Sequence, residues 1–388
     1  MSKRRPSGDG MVRHRADGRW EGRIVIGHKE NGDSIFRYFS AKTQKELMDK
    51  MAQNKMEYAG VDLCEDCKMP LGDWLERWLN EYAAPAVRPS TLHGYRNYLD
   101  KYVKPALGDK PICKLTTAEV QQFYRAVQEH GRVHENADGS HALSPSTIRS
   151  LHGVFQQAMD AAVRERLIAQ NPTEGVTLPK KEAVPKRILN DEQLDCFMEA
   201  IQKDDVWHDF FYTEITTGLR LGEICGLQWK DFDAQTGTLE IRRTVHTNAG
   251  GKVSTGETKT NQGKRDITLP PSTVELLTKR KKHGLSQKWI FPQPLQPDQP
   301  MHPQKAYRRM KELLDEANLP DIRFHDLRHT FATPALTSGV DAKTLSGILG
   351  HTKASFTLDA YTHVTGDMQK KAAEIVGGFM NNMILLRR

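Results

Sequence analysis

Six residues in the second half of the chain are of types that could together act on a phosphate: Arg220, Lys259, His325, Arg328, His351 and Tyr361. Residues three apart on a helix share a face, so His325 and Arg328 can address one ligand. Arginine offers a two-pronged fork of donors suited to phosphate, and histidine can donate, accept or move a proton. Gly218 and Gly222 bracket Arg220 in a turn that can aim its guanidinium inward. Lys259, in Thr258-Lys259-Thr260-Asn261, falls at the lip of a small sheet as a point charge that could act as an acid. Tyr361 follows His351 by ten positions and Arg328 by 33. Beside such a cluster its hydroxyl could be the attacking nucleophile. Singly, each of these is an ordinary surface or core residue; the ordered set carries the chemistry.

The elements that must hold these residues are mainly helical. From Asn190 a helical domain begins, with one helix over Phe210 to Gly218. Leu239, Ile241, Arg243 and Val245 alternate as a strand, a Gly-rich loop follows from Asn248 to Gly256, and Asp266 to Leu269 makes another short strand. Pro334 lies inside the helix expected to start near His325, where it removes a backbone donor and could kink it. Past Tyr361, residues Met368 to Met380 read as a helix, and Ile384-Leu385-Leu386 as an apolar hook.

Upstream, Leu71, Trp74, Leu75, Trp78, Leu79 and Tyr82 fall at helical steps. Pro85 and Pro89 break the chain there, and Ser90 can cap a second helix carrying Leu92, Tyr95, Leu99, Tyr102 and Val103. Thr116 and Glu119 form a capping box ahead of a third, and Ser144-Pro145 opens a long fourth. The aromatics of this four-helix region read as core. Residues Thr177 to Arg187 hold two prolines, four bases and one acid, an extended basic linker that could track a DNA backbone through Lys180, Lys181, Lys186 and Arg187.

At the start, residues 1–29 hold eight Lys or Arg against three acids. Trp20, Ile24 and Ile26 alternate with Arg19, Glu21, Arg23 and Val25, the period of a half-buried strand. Asn31-Gly32 marks a turn, Ser34 to Phe39 the returning strand, and Thr43 to Tyr58 a helix. A short strand at Met11 to His14 completes a three-stranded sheet whose Arg19 and Arg23 could meet a DNA groove.

The 388 residues, 38% of them hydrophobic, suffice for two or three packed domains. Mean hydropathy of -0.63 and the lack of a long apolar run exclude a membrane protein of the helical kind. Met1 to Pro6 contains no apolar core, so no secretory signal is expected and the cytoplasm is the expected location. A net charge of +7 is consistent with a polyanionic partner. Cys64 and Cys67 form a CxxC without a second ligand pair nearby, and read as two thiols in a linker in a reducing compartment.

Taken in order, Thr217-Gly218-Leu219-Arg220-Leu221-Gly222-Glu223, Thr258-Lys259-Thr260, His325-Asp326-Leu327-Arg328-His329-Thr330, Leu349-Gly350-His351 and Tyr361-Thr362-His363-Val364 resemble the motifs of the tyrosine recombinases, or phage integrases. The resemblance implies an α+β fold, mainly α with small β-sheets. It divides the chain into an arm-type DNA-binding domain (1–62, three-stranded sheet plus helix), a helical core-binding domain (70–175), a linker (176–187) and a mostly helical catalytic domain with a small sheet (188–388). It implies cleavage and rejoining of double-stranded DNA, at core sites and arm sites, through a 3′-phosphotyrosine formed by Tyr361. Arg220, Arg328 and His351 would bind the phosphate, His325 would assist proton transfer, and Lys259 would protonate the leaving 5′ oxygen. The same resemblance implies a homo-tetramer on DNA joined by exchange of C-terminal tails, with an excisionase or DNA-bending protein as a further partner. No Asp/Glu cluster with metal-ligand spacing accompanies the six, so no metal and no cofactor are expected. A type IB topoisomerase-like nicking-closing enzyme and a catalytically idle DNA-binding regulator are the competing readings.

Overall fold

The computed structural model describes residues 11–58, 60–132, 139–181, 188–247, 251–257, 263–284 and 286–350. They fall into two compact units, divided between Ala183 and Val184. The fold is α+β, mainly helical with small antiparallel sheets. Among the described residues no helix is long and apolar enough to cross a membrane.

The first unit opens with an antiparallel meander of Met11–His14, Trp20–His28 and Ser34–Ala41. Ile24, Ile26 and Ile35 turn inward and are covered by Leu47 and Met51 of the helix Gln44–Glu57, which Thr43 caps. A bulge between Val25 and Gly27 brings Gly27 against Leu63, where a Cβ would lie 2.1 Å from the Leu63 carbonyl oxygen. Only glycine tolerates that approach. Leu63 N in turn donates to Ile26 O at 3.0 Å. The segment after the helix is thus stitched to the sheet. Cys67 is fully buried there, rather than lying in an open linker.

The helices of this unit surround Trp74, Phe123, Tyr124 and Phe155, all buried, as expected of core aromatics. The Trp74 indole N–H donates to Ala158 O at 3.0 Å, so its one polar atom is satisfied. Pro85 does not break the first helix. The helix Leu71–Trp78 continues through a π turn, Leu79–Ala83, to Ala86. Proline has no N–H to give, and the wider turn shifts the register so that Ala84 N bonds Leu79 O. Pro105 is accommodated the same way after Leu99–Val103. Pro89, not Ser90, sets the next helix start, at the first helical position behind Arg88. The expected linker is also less free than its composition suggests. Gln121 brackets Thr177 with bonds of 2.7 and 3.1 Å, and Arg149 Nε donates to Pro179 O at 2.9 Å. Lys180 and Lys181 are exposed beyond these ties.

In the second unit, helices pack around Phe197, Phe210, Phe211, Phe291 and Leu327. The alternating stretch from Leu239 to Val245 is two strands, not one. Partners switch at Arg242: Ile241 pairs with Arg265, Arg243 with Glu257. Residues Val253–Glu257, expected within a loop, are the strand that pairs with Arg243–Thr247. The short strand expected at Asp266 to Leu269 is Arg265–Thr268, one residue earlier. Helix Phe324–Thr337 runs through Pro334. Helix Ala342–Leu349 packs on it through Leu345 and Leu349 against Ala332 and Leu336.

Candidate active site

Arg220 stands at a junction of two helices. His208–Thr217 ends at Gly218 in the left-handed conformation (φ 60°). A Cβ at Gly218 would also lie 2.5 Å from the Phe331 ring, so backbone angle and space both require glycine. Two residues on, Arg220 is the N-cap of Leu221–Cys225. Glu223 closes this turn by accepting the Arg220 main-chain N–H at 3.1 Å and its guanidinium at 2.6 Å.

The Arg328 guanidinium donates to Gly218 O at 3.0 Å and also to Leu349 O. Arg220 donates to Gly350 O at 2.8 Å, and Arg265 Nε to Ile348 O. Three consecutive carbonyls at the end of helix Ala342–Leu349 therefore each meet one arginine. A helix C-terminus leaves such carbonyls unpaired and carries partial negative charge, which explains the match. Gly350 leaves this helix in the left-handed conformation, and His351 is the next residue in sequence.

Charge in this cluster is unbalanced. Burial works against ionisation of Glu223, but the Arg265 hydrogen bond and charge and the Arg220 charge hold its pKa below the usual value. Glu214 is fully buried, and burial raises its pKa well above the ordinary range, which favours the uncharged acid. Neither of its oxygens has a hydrogen-bond partner among the described residues. Burial, then the neighbouring Arg220, lower the Arg328 pKa to about 9, still charged at neutral pH. Three guanidiniums thus face at most two carboxylates, Glu223 and Glu214. Arg328 is 1% exposed and its Nε has no partner among the described residues. The Arg220 side chain remains 40% exposed.

His325 lies one helical turn from Arg328, with its ring at 4.8 Å from that of His329. Desolvation, and then the Arg328 and Arg220 charges, lower its pKa to about 4; the residue as a whole is exposed, so the nearby guanidinium charges are the firmer cause. It is therefore a neutral imidazole, able to accept a proton. At pH 6 a free histidine (pKa about 6.5) would be roughly three-quarters charged. Nitrogen-detected NMR at pH 6 is expected to show His325 neutral; a ring that titrates near 6.5 would remove the arginine field from this site. The sign for stability follows: the neutral form is favoured by folding, so stability is lost as pH falls from about 6.5 towards 4.

The structure brings Arg220, His325 and Arg328 together. Lys259, His351 and Tyr361 lie outside the described residues, as do Lys186 and Arg187. Arg265 and Glu223 join the cluster without having been singled out by residue type. The first signal for Glu223 is its place three residues after Arg220; Arg265 offers none. In the first unit Arg19 is exposed, and the Arg23 guanidinium lies 4.1 Å above the Phe36 ring on the sheet face that also exposes Val25 and Tyr38. Among the described residues no three or more His, Cys, Asp or Glu side chains gather as a metal-binding group.

Residues 187–367 match the model of the phage integrase family, and residues 71–127 that of the phage integrase N-terminal SAM-like domain. The chain belongs to the phage integrase family. Among relatives of this family, a tyrosine recombinase XerC-like protein of Caldanaerobacter subterraneus subsp. tengcongensis is 28% identical over 90% of this chain and 94% of its own. The Tn1549 transposon integrase in complex with transposon right end DNA superposes with a TM-score of 0.66 at 23% identity, covering 80% of this chain and 100% of that one. A lambda integrase tetramer bound to a Holliday junction gives 0.57 at 18% identity, over 91% and 97%. These integrases share the fold of this chain.

Proposed function

We propose that this chain is the integrase of a mobile element, a site-specific tyrosine recombinase that breaks and rejoins double-stranded DNA without a high-energy cofactor. The observation that carries this reading is the surplus of guanidinium charge at the end of helix Ala342–Leu349. Charge buried without compensation is costly, and a phosphate that enters the cluster supplies the missing negative charge. In the transition state of phosphoryl transfer, charge gathers on the non-bridging oxygens, and fixed donors aimed there are usually the largest catalytic contribution.

In this reading Tyr361 attacks the scissile phosphorus and the 5′ oxygen leaves, which makes a 3′-phosphotyrosine. Arg220, Arg328 and His351 hold the phosphate oxygens. The neutral His325 takes the phenol proton, and Lys259 donates a proton to the leaving oxygen. Because the phosphotyrosine conserves the bond, a new 5′ hydroxyl can displace the tyrosine. A nicked suicide substrate tests this. The shifted band should carry the strand ending in a 3′ phosphate; attachment through a 5′ phosphate would overturn the mechanism.

We read residues 1–62 as the arm-type domain, 70–175 as core-binding, 176–187 as the linker and 188–388 as catalytic. Simple truncation would uncover Leu63 and Cys67, so point variants are the cleaner test of separate DNA sites. Arg19→Ala and Arg23→Ala are each expected to lower the salt slope by about one unit. The loss should fall on arm sites and spare core sites, as filter binding across a salt series would show; equal losses on both would contradict the division.

The tetramer of the lambda integrase on a Holliday junction supports a similar assembly here, joined through the Ile384-Leu385-Leu386 tail. Removal of residues 383–388 should weaken cooperative assembly on paired sites more than binding to a single half-site in gel-shift titrations. Equal effects would place the tail on its own protomer. An excisionase or DNA-bending protein fits the same scheme as an accessory partner.

A further inference from the structure

Three cysteines stand where the N-terminal sheet meets the helical bundle, and the recombination chemistry uses none of them. Cys67, in the short turn Glu65–Lys68, is fully buried among Ile24, Ile26, Leu47 and Leu63. Cys113, in the turn Ile112–Lys114, is only partly buried and packs against the same core. The seam between the two turns is fixed by main-chain bonds. Leu71 N donates to Lys110 O at 2.8 Å, Ile112 N donates to Met69 O at 3.0 Å, and Pro70 lies opposite Pro111. The two thiols are near enough across it for each to govern the other's protonation. Cys64 points elsewhere; its Sγ donates to Glu165 O at 3.5 Å.

We propose that Cys67 and Cys113 form a thiol pair poised for disulfide closure, in which Cys113 reacts first with a low-molecular-weight disulfide and Cys67 then completes the bond. Access and charge divide the labour. Cys113 is within reach of a small reagent; Cys67 is not. The hydrogen bond from Cys67 outweighs burial and, with the charges of Arg37 and Lys114, lowers the Cys113 pKa to about 7. The thiolate of Cys113 is favoured over that of Cys67, and thiolate is the attacking species. The bond to Cys113 and burial push the Cys67 thiol up, so it keeps its proton until its neighbour has been consumed.

In the first step the Cys113 sulfur attacks one sulfur of the small disulfide and expels the other half as a thiolate. In the second, Cys67 gives its proton to that thiolate or to water, attacks the Cys113 sulfur and expels the remaining half. Two protein thiols are oxidised, and one small disulfide is reduced to two thiols. The new bond would tie the core of the N-terminal sheet to the bundle. The ties already at that junction include main-chain contacts, such as Gly27 beside Leu63 and Cys64 N to Arg166 O at 3.0 Å. Hydrogen exchange of residues 63–72 should slow once the link is in place.

The test treats the folded full-length protein with glutathione disulfide, blocks free thiols with N-ethylmaleimide and maps peptides without reduction. A Cys67–Cys113 cross-link, reversed by dithiothreitol and accompanied by slower exchange at 63–72, is the expected result. Cys67→Ser should stop at a Cys113–glutathione adduct, Cys113→Ser should leave Cys67 unmodified, and Cys64→Ser should change nothing. A Cys64–Cys67 cross-link, a wild-type protein that stops at the Cys113 adduct, or closure only after urea is added would each overturn the proposal.

Discussion

Tyr361→Phe is expected to abolish covalent attachment to DNA while fold and DNA affinity survive. The substitution deletes one oxygen. That oxygen supplies the bond itself, so no neighbour can take its place. Several other tyrosines are accounted for by packing: Tyr124 is buried in the bundle core, and Tyr82, Tyr95 and Tyr102 pack against it. Denaturing gels with 3′- and 5′-labelled suicide substrates read the effect as complete loss of the shifted band. An adduct that persists in the variant, or a peptide map that places DNA on another tyrosine, would refute the assignment.

Lysine in place of Arg220 or Arg328 is expected to leave DNA binding nearly unchanged and slow cleavage by roughly 10²–10³, the usual cost of one positioned transition-state donor. The two variants should differ in stability. Arg220 is partly exposed, and a lysine there loses one prong of a fork shared between Glu223 and Gly350. Arg328 is buried and bonds Gly218 O and Leu349 O with separate nitrogens, geometry that a single ammonium cannot reproduce. Arg328→Lys should therefore also melt earlier than wild type, whereas Arg220→Lys should melt near it. Single-turnover cleavage near the wild-type rate in either variant would remove that arginine from the reacting phosphate.

Residue type and local spacing made Arg220, His325 and Arg328 legible, because flanking glycines mark Arg220 and a helical step of three puts His325 and Arg328 on one face, although the carbonyls that hold the two arginines lie 21 to 130 positions away. Arg265 was not legible. Its partners Glu223 and Ile348 are 42 and 83 positions away, and a lone arginine in a short strand carries no trace of either. The helix Leu71–Ala86 shows a different limit. Proline reads locally as a stop, but the π turn that absorbs Pro85 depends on burying Leu79 and Ala83 in the bundle. Val253–Glu257 was hidden by its glycine: Gly256 reads as loop, yet it sits opposite Thr244, with His246 close enough to crowd a side chain there. The core of the N-terminal sheet was plain from alternation alone, since Ile24 and Ile26 have no other way to leave water.

Before any DNA arrives, the guanidiniums of Arg220 and Arg328 are already occupied by the protein's own carbonyls at Gly218, Leu349 and Gly350. An incoming phosphate therefore competes with those carbonyls for all but the donors they leave open, such as Arg328 Nε. A donor taken from Leu349 O or Gly350 O is one that the end of helix Ala342–Leu349 gives up. His351 and Tyr361 follow Gly350 in sequence, so under the proposed mechanism such an exchange would act at the start of the segment that carries the nucleophile. On that reading the helix end is an interlock, which holds the two arginines until a phosphate competes for them.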